Sequence, residues 1–406
     1  MSELYELPRG WEWRELEKLC NFTRGPFGGS LKKNIFKTSG FAVYEQSHAI
    51  YGKFDQIRYF IDDVKFQEMK RFTIKSDSLI MSCSGTIGKV MIVPIGIQEG
   101  IINQALLMLQ PNQLLSNIFL KLLMESDFFQ NLLIQNSTGA AISNIASVKI
   151  LKQLKIPLPP LKEQKRIVAK LDKLFEKIDQ AITLLQQNIE TVNAFMPSVL
   201  DDVFGELEAK YALNNINKLC TKITDGTHST PTYTKTGVHF LSVKDISKGV
   251  IDFSNTRYIS AEEYSFLSKR CNVEKDDILY TKVGTTGIAK VVDTDIEFNI
   301  FVSIALLKPK FNLIRSMFFQ HILNSPKCYQ QAQSRTRGVA NRNLVLKDIK
   351  QIHFPLPPLP IQQKVVHYLD QLTSKIEPIK QAQQDKLASL KALKASILDK
   401  AFRGEL

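Results

Sequence analysis

The chain has 406 residues, with 53 Lys and Arg against 40 Asp and Glu, a net charge of +13 that favours a polyanionic partner. A content of 44% hydrophobic and 23% charged residues excludes a disordered or collagen-like chain, and the length predicts two or three domains. The five cysteines are scattered and the sequence shows no secretory signal, which predicts a cytoplasmic protein. No apolar run is long enough for a membrane helix, so no membrane partner is predicted.

The chain repeats itself once, at an offset of roughly 200 residues, which is too long for a solenoid repeat. The repeated segments are DSLIMSCSGTIGKV and DDILYTKVGTTGIAKV (77–90 and 276–291), IPLPPLKEQKRIVAKLD and FPLPPLPIQQKVVHYLD (156–172 and 354–370), and SVLDDVFGEL and SILDKAFRGEL (198–207 and 396–406). This order predicts a domain and a helix, each present twice, with boundaries at 1–157, 158–207, 208–355 and 356–406.

Each domain is predicted to mix strands and helices. In chain order, apolar runs predict strands at Ser78–Met81, Lys89–Val93 and Ala105–Leu109, and a helix near Asn117–Ile134. The second domain repeats this pattern, with a helix near Ile314–Gln333. Glycine turns at 85–88 and 284–287 separate the strands, and we interpret them as scaffold.

Both connecting segments have apolar residues at heptad-like spacing, which predicts long helices. The first helix is predicted over Lys162–Met196, and Pro378 predicts a kink in the second near Glu377. Pairing of one helix with the other is favoured over packing on a domain, because ~52 Å of helix exceeds a domain of this size. The predicted partner-binding seam comprises Leu171, Leu174, Ile178, Leu185, Leu369, Leu372 and Ile376.

The sequence lacks the known motifs of nucleotide-binding, metal-binding and methyltransferase sites. The turn Gly85–Lys89 does not fit a phosphate loop, the six histidines lack metal-ligand spacing, and neither Pro-Pro segment has the asparagine and aromatic residue of an amino-methyltransferase. We therefore predict no catalytic, metal or cofactor site in this chain. The alternatives are a single-chain nuclease or methyltransferase, and a coiled-coil DNA-binding adaptor or regulator without an enzyme partner.

The predicted DNA-binding residues lie in polar, basic loops, at positions where the two copies differ. Residues shared by both copies cannot distinguish two different half-sites. These candidates are Arg24, Lys32, Lys33, Gln46 and Asn144 in the first half, and Thr227, His228, Thr230, Tyr233, Arg335, Arg337, Arg342 and Asn343 in the second.

The chain resembles the specificity subunits of type I restriction–modification systems. The resemblance is carried by the opening LPRGWEW (7–13), TDGTHSTP (224–231), the two P-L-P-P-L-x-x-Q segments ending at Gln164 and Gln362, and the terminal AFRGEL (401–406). It implies an α+β architecture, with two mixed α/β target-recognition domains in a pseudo-twofold repeat and two long helices pairing as an antiparallel coiled coil.

The resemblance also implies a function without catalysis by this chain. The domains would read a bipartite, asymmetric site in double-stranded DNA, with an unread spacer of roughly 5–8 bp when half-sites lie about one helical turn apart. The helices would hold two methyltransferase subunits that use S-adenosylmethionine, and restriction (translocase) subunits that use ATP and Mg²⁺ would join them.

Overall fold

A computed structural model describes residues 5–27, 29–135, 148–339 and 342–406. The chain forms two units, which differ from the division by sequence repeat because each takes part of both long helices. Unit 1 comprises residues 1–185 and 385–406, and unit 2 comprises residues 186–384. The boundaries predicted from the repeat stay a prediction.

Unit 1 is built on a four-stranded antiparallel sheet and a three-stranded mixed sheet, in the orders β2-β8-β5-β6 and β4-β3-β7, with β1 and β9 forming a separate ribbon. Its strands are β1 (Glu12–Glu15), β2 (Cys20–Arg24), β3 (Phe41–Tyr44), β4 (Phe60–Ile61), β5 (Leu79–Ser82), β6 (Val90–Ile92), β7 (Gly100–Ile102), β8 (Leu106–Pro111) and β9 (Lys155–Leu158). Its helices are α1 (Gln46–Tyr51), α2 (Asp63–Glu68), α3 (Asn117–Glu125), α4 (Asp127–Gln135), α5 (Val148–Gln153) and the first part of α6 (Leu161–Glu208).

Unit 2 repeats this plan, with sheets in the orders β11-β17-β14-β15 and β13-β12-β16 and a ribbon of β10 and β18. Its strands are β10 (Leu213–Asn215), β11 (Cys220–Asp225), β12 (Val238–Leu241), β13 (Arg257–Ile259), β14 (Ile278–Thr281), β15 (Ala289–Val291), β16 (Phe298–Ile300), β17 (Ile304–Pro309) and β18 (His353–Pro355). Its helices are α7 (Ile216–Leu219), α8 (Ala261–Ser268), α9 (Ser316–Leu323), α10 (Pro326–Arg335), α11 (Leu346–Ile349) and the first part of α12 (Leu359–Arg403).

The helix predicted near the end of each domain is in fact two helices. In unit 2 the break follows Asn324, where the Ser325 hydroxyl accepts a hydrogen bond from the Cys328 N–H and Pro326 takes the first helical position. In unit 1 the Ser126 hydroxyl accepts from the Phe129 N–H in the same way. A serine cap followed by a helix start outweighs the continuous apolar pattern that predicted one helix.

The two long helices pair antiparallel, as the resemblance implies. In unit 1, Ile167 and Leu171 near the start of α6 share a core with Leu398 and Phe402 near the end of α12. In unit 2, the end of α6 packs in a core with Leu369 of α12.

Both long helices contain an interior proline, at Pro197 and Pro378. The apolar spacing predicted the first helix only to Met196, but α6 continues to Glu208, one residue beyond the predicted segment 158–207. Leu200, Phe204 and Leu207 are buried in the core of unit 2, and this packing offsets the one backbone hydrogen bond that a proline removes. The second helix also remains helical through Pro378.

A buried glutamine attaches the start of each long helix to its unit. Gln362 is fully buried; its Oε1 accepts from the Arg315 N–H at 2.9 Å, and its Nε2 donates to the carbonyls of Leu313 and Pro357, both at 2.9 Å. Gln164 makes the equivalent three bonds in unit 1. The repeated P-L-P-P-L-x-x-Q segment is therefore a structural joint between domain and helix.

Candidate nucleic-acid interface

In unit 2 several of the candidate residues gather at one edge of the four-stranded sheet. Strands β11 and β14 both pair antiparallel with β17, so they run in the same direction and end at the same edge. The segment 226–228 follows β11 and the glycine turn 284–287 follows β14. Residues far apart in sequence are thereby brought together.

A buried carboxylate organises this edge. The Asp225 side chain is 3% exposed, and its Oδ2 accepts from the Nζ of the equally buried Lys282 at 3.1 Å. Its Oδ1 lies 2.6 Å from Arg270 Nη2 and 3.2 Å from His228 Nε2. The side chains of Arg270 and His228 are more than half exposed. One carboxylate thus has a lysine, an arginine and an imidazole as partners, so basic side chains outnumber the single acidic one in this cluster.

The loop after α10 lies against the glycine turn. The Gly284 N–H donates to the Arg342 carbonyl at 2.9 Å, and the Leu344 N–H donates to the Lys282 carbonyl at 2.7 Å. Arg337 and Asn343 exchange two backbone hydrogen bonds. The structure therefore brings Arg337, Arg342 and Asn343 to the same edge as the Asp225 cluster.

The remaining candidates of unit 2 have different surroundings. Arg335 closes α10, where its Nη1 donates to the Gln331 carbonyl at 2.9 Å. The Thr227 hydroxyl donates to the Ser229 carbonyl, which shapes the turn after β11. Thr230 is exposed, and Tyr233 is half-buried beneath the guanidinium of Arg257, whose Cζ lies 4.3 Å from the ring centroid.

Unit 1 has the same edge, with β2 and β5 ending at Arg24 and Ser82. The Cys83 thiol donates to the Met81 carbonyl at 3.4 Å, and burial raises the pKa of Cys83 to about 11 although the positive charge of Arg24 lowers it. Gln46 Nε2 donates to the Thr86 carbonyl of the glycine turn at 3.3 Å. Arg24 and Gln46 are therefore brought together at the end of β5.

The other candidates of unit 1 lie beyond this edge or outside the described residues. Lys32 and Lys33 are exposed at a short 3-10 helix, and Lys32 shares an open groove with Lys65 and Arg71. Asn144 falls outside the residues that the structure describes.

The backbone at this edge is the same in both units, but the side chains at two equivalent positions differ in charge. Gly25 and Gly226 occupy equivalent positions, where a Cβ atom would overlap the backbone carbonyl of Asn103 and of Ile300, respectively. The residue before each glycine is Arg24 in unit 1 and Asp225 in unit 2. The residue after the strand that enters the glycine turn is Cys83 in unit 1 and Lys282 in unit 2.

Strand β11 of unit 2 has one residue more than its counterpart β2 of unit 1, and a β-bulge accommodates it. Cys20 and Asn21 pair with the consecutive residues Pro111 and Gln110. In unit 2, Cys220 pairs with Pro309 but Lys222 pairs with Lys308, so that Thr221 is left over. The bulge keeps Gly226 in register at the edge, as is common near functional positions of sheets.

Arg270, Lys282 and Arg257 are not among the site residues predicted from the sequence. A signal for Lys282 exists, since a lysine replaces Cys83 of the first copy directly after a fully apolar strand. Arg270 lies 45 residues from Asp225 in sequence, and no local pattern connects the two.

The partner-binding role of the predicted seam stays a prediction, and the chain itself buries part of that seam. Leu171, Ile178, Leu185 and Leu369 are buried within the chain. Leu174, Leu372 and Ile376 are half-buried. The heptad pattern reports the pairing of the two helices of this chain, and the apolar residues exposed on those helices lie elsewhere.

Among the described residues no helix is long and apolar enough to cross a membrane, and no group of His, Cys, Asp and Glu is arranged to hold a metal ion.

Comparison with known proteins matches residues 8–192 and 215–388 to the family model "Type I restriction modification DNA specificity domain". The type I restriction enzyme EcoBI specificity subunit of Escherichia coli is 31% identical over 296 residues, which are 67% of this chain and 62% of that subunit. The chain thus spans less than two thirds of that relative.

Two solved structures share the fold. A chain from a structure of complex assembly and conformational transition of the type I R-M system superposes with a TM-score of 0.76 at 24% identity, covering 99% of this chain and 100% of that one. The HsdS subunit from Thermoanaerobacter tengcongensis superposes with a TM-score of 0.55 at 24% identity, covering 99% of each chain. The matched segments of the family model include both sheet edges and most of both long helices, and the chain belongs to the type I restriction–modification DNA specificity family.

Proposed function

We propose that this chain is the non-catalytic DNA-reading subunit of a type I restriction–modification complex, with each unit reading one half of a bipartite, asymmetric site. The observation that carries the proposal is the pair of equivalent sheet edges, which present different cationic and polar side chains on one scaffold. Arginine, lysine, glutamine and asparagine are the side chains that contact phosphates and base edges.

The experiment is a selection from random DNA duplexes with the full chain, co-purified with the modification subunits of its own system. We expect a motif of two unlike half-sites separated by an unread gap, with the same motif carrying methylated adenine in genomic DNA. Affinity should fall steeply with salt concentration, because cations on the protein displace counterions from the phosphates. A selection that enriches no motif would overturn the proposal.

Partner binding belongs to the two helices in this proposal. Phe195 of α6 and Leu393 of α12 occupy equivalent repeat positions, and each is more than 40% exposed. Large apolar side chains exposed at equivalent positions fit two copies of one partner, which we identify as the modification subunits. S-adenosylmethionine would be bound by those subunits, and ATP and Mg²⁺ by the restriction subunits, in the cytoplasm.

A pair of substitutions tests this surface. Phe195→Asp with Leu393→Asp should abolish co-purification of the modification subunits and leave the melting temperature of the chain nearly unchanged. The matched control, Asn193→Asp with Ser389→Asp, places two charges at exposed polar positions of the same helices. Full assembly of the apolar-to-Asp variant would remove this surface from the interface. A chain that binds DNA specifically but associates with no modification subunit would instead be the adaptor or regulator considered above.

A further inference from the structure

We propose that Arg270 reads a base pair in the half-site of unit 2 and that Asp225 is its positioning residue. This assignment rests on the proposed DNA-reading function and adds two residues to it.

The carboxylate of Asp225 is already paired with a buried lysine. Asp225 and Lys282 are each at least 94% buried, and their contact at 3.1 Å neutralises the carboxylate inside the protein. Neutralisation therefore does not require Arg270, which nevertheless binds Oδ1 through Nη2 at 2.6 Å while 55% of its side chain stays exposed. The carboxylate takes one hydrogen of Nη2, and the second Nη2 hydrogen remains beside Nη1 and Nε to form a two-pronged contact with a ligand.

The counterpart of Arg270 in unit 1 is Arg71. Arg71 and Arg270 each stand six residues before an aspartate of positive φ, Asp77 at 62° and Asp276 at 69°. Arg71 packs against its own neighbour, with Cζ 4.5 Å from the ring centroid of Phe72. Unit 1 has Arg24 where unit 2 has Asp225, so a like charge replaces the carboxylate. The same arginine is thus anchored in one unit only.

An anchored arginine is suited to a directional contact with a base. A bidentate contact with O6 and N7 of guanine requires a fixed direction of the guanidinium plane. Contacts with phosphates tolerate a mobile side chain and carry no sequence information. Holding the guanidinium before binding lowers the entropy lost on contact, which favours a directional base contact. In unit 1 Arg24 itself stands at the edge, where it takes the place of the Asp225–Arg270 pair.

The test measures base discrimination by the full chain assembled with its modification subunits. Wild-type selection first defines the two half-sites, and duplexes substituted at each base pair then give a discrimination ratio per position. Arg270→Ala should lower discrimination about tenfold or more at one G·C pair of one half-site and leave the other half-site unchanged. Arg270→Lys should retain most of the overall affinity and still lose that discrimination, because lysine cannot reproduce the fork.

The positioning role is tested by Asp225→Asn combined with Lys282→Met, which removes the buried charges together and so avoids an unpaired lysine. It should reproduce the loss at the same base pair, and adding Arg270→Ala should change little further. The control is Lys275→Ala, which breaks an exposed ion pair with Asp295 at the other end of β14.

Three results would overturn the inference. The first is that Arg270→Ala weakens binding to all duplexes equally, which indicates a phosphate contact. The second is that Arg270→Ala leaves base discrimination unchanged. The third is that the losses of discrimination add up in the triple variant. A wild-type complex without any sequence preference would overturn the proposed function itself, and this result is seen before any variant is measured.

Discussion

The buried glutamine at the start of α12 should be a major contributor to the stability of unit 2. Gln362→Met keeps the volume of the side chain but removes its three hydrogen bonds, to Arg315 N–H and to the Leu313 and Pro357 carbonyls. The bond to Pro357 is buried and the other two are partly buried, and a buried main-chain group left without a partner costs ~1–3 kcal/mol. Small shifts of the carbonyls and burial of the methionine offset part of this cost, so we expect a loss of ~3–5 kcal/mol.

For a unit of this size each kcal/mol lowers the melting temperature by ~2–4 °C, so Gln362→Met should lower it by ~10 °C. Scanning calorimetry of the full chain measures this shift. The control Gln363→Met changes the exposed neighbour and should shift the transition by less than ~2 °C. Gln164→Met should destabilise unit 1 to a similar degree, because its three bonds are the same. A melting temperature for Gln362→Met that matches the control would refute the reasoning.

Three further predictions concern the helix pair, pH and the candidate loop. Leu174→Asp with Ile178→Asp should lower the melting temperature of the isolated chain, as well as prevent assembly, because Ile178 is 8% exposed within the chain's own core. Burial lowers the pKa of His321 more than its contact with Asp370 raises it, so unit 2 should lose stability as pH falls below ~6.5. In His321→Gln the melting temperature should therefore depend less on pH between ~5 and ~7.5 than it does in the wild type. Arg337→Ala should cost ~1–3 kcal/mol of DNA-binding free energy at specific sites, measured by titration, if its 76% exposed side chain reads guanine; unchanged affinity and specificity would remove it from the site.

The sign of the pH prediction follows from the burial of His321. Its folded-state pKa is lower than that of an unfolded histidine, so the neutral ring is favoured in the fold. The resulting stability is present above the unfolded pKa and is lost as pH falls through it. A His321→Gln variant with the same pH profile as the wild type would show that another group controls the acid limb.

Much of the fold was predictable because its sequence patterns occur twice in the chain. The glycine turns, the apolar strands around them and the paired long helices follow from patterns that recur in both copies. The errors arose where local capping and tertiary packing oppose the periodic pattern. Ser126 and Ser325 begin new helices inside apolar runs, and burial of Phe204 carries α6 past Pro197.

The candidate site was predictable only in part, for a reason that the Asp225 cluster makes clear. Comparing the copies locates positions that differ, such as His228 and Arg342, because a difference is visible in sequence alone. Arg270 escapes that comparison, since Arg71 stands at the equivalent place and the two copies agree there. What differs is the partner: Asp225 anchors one arginine, whereas Arg24 would repel the other. A residue shared by both halves can therefore distinguish their half-sites when its anchor is not shared, and the readers of this fold have to be sought among contacts as well as among substitutions.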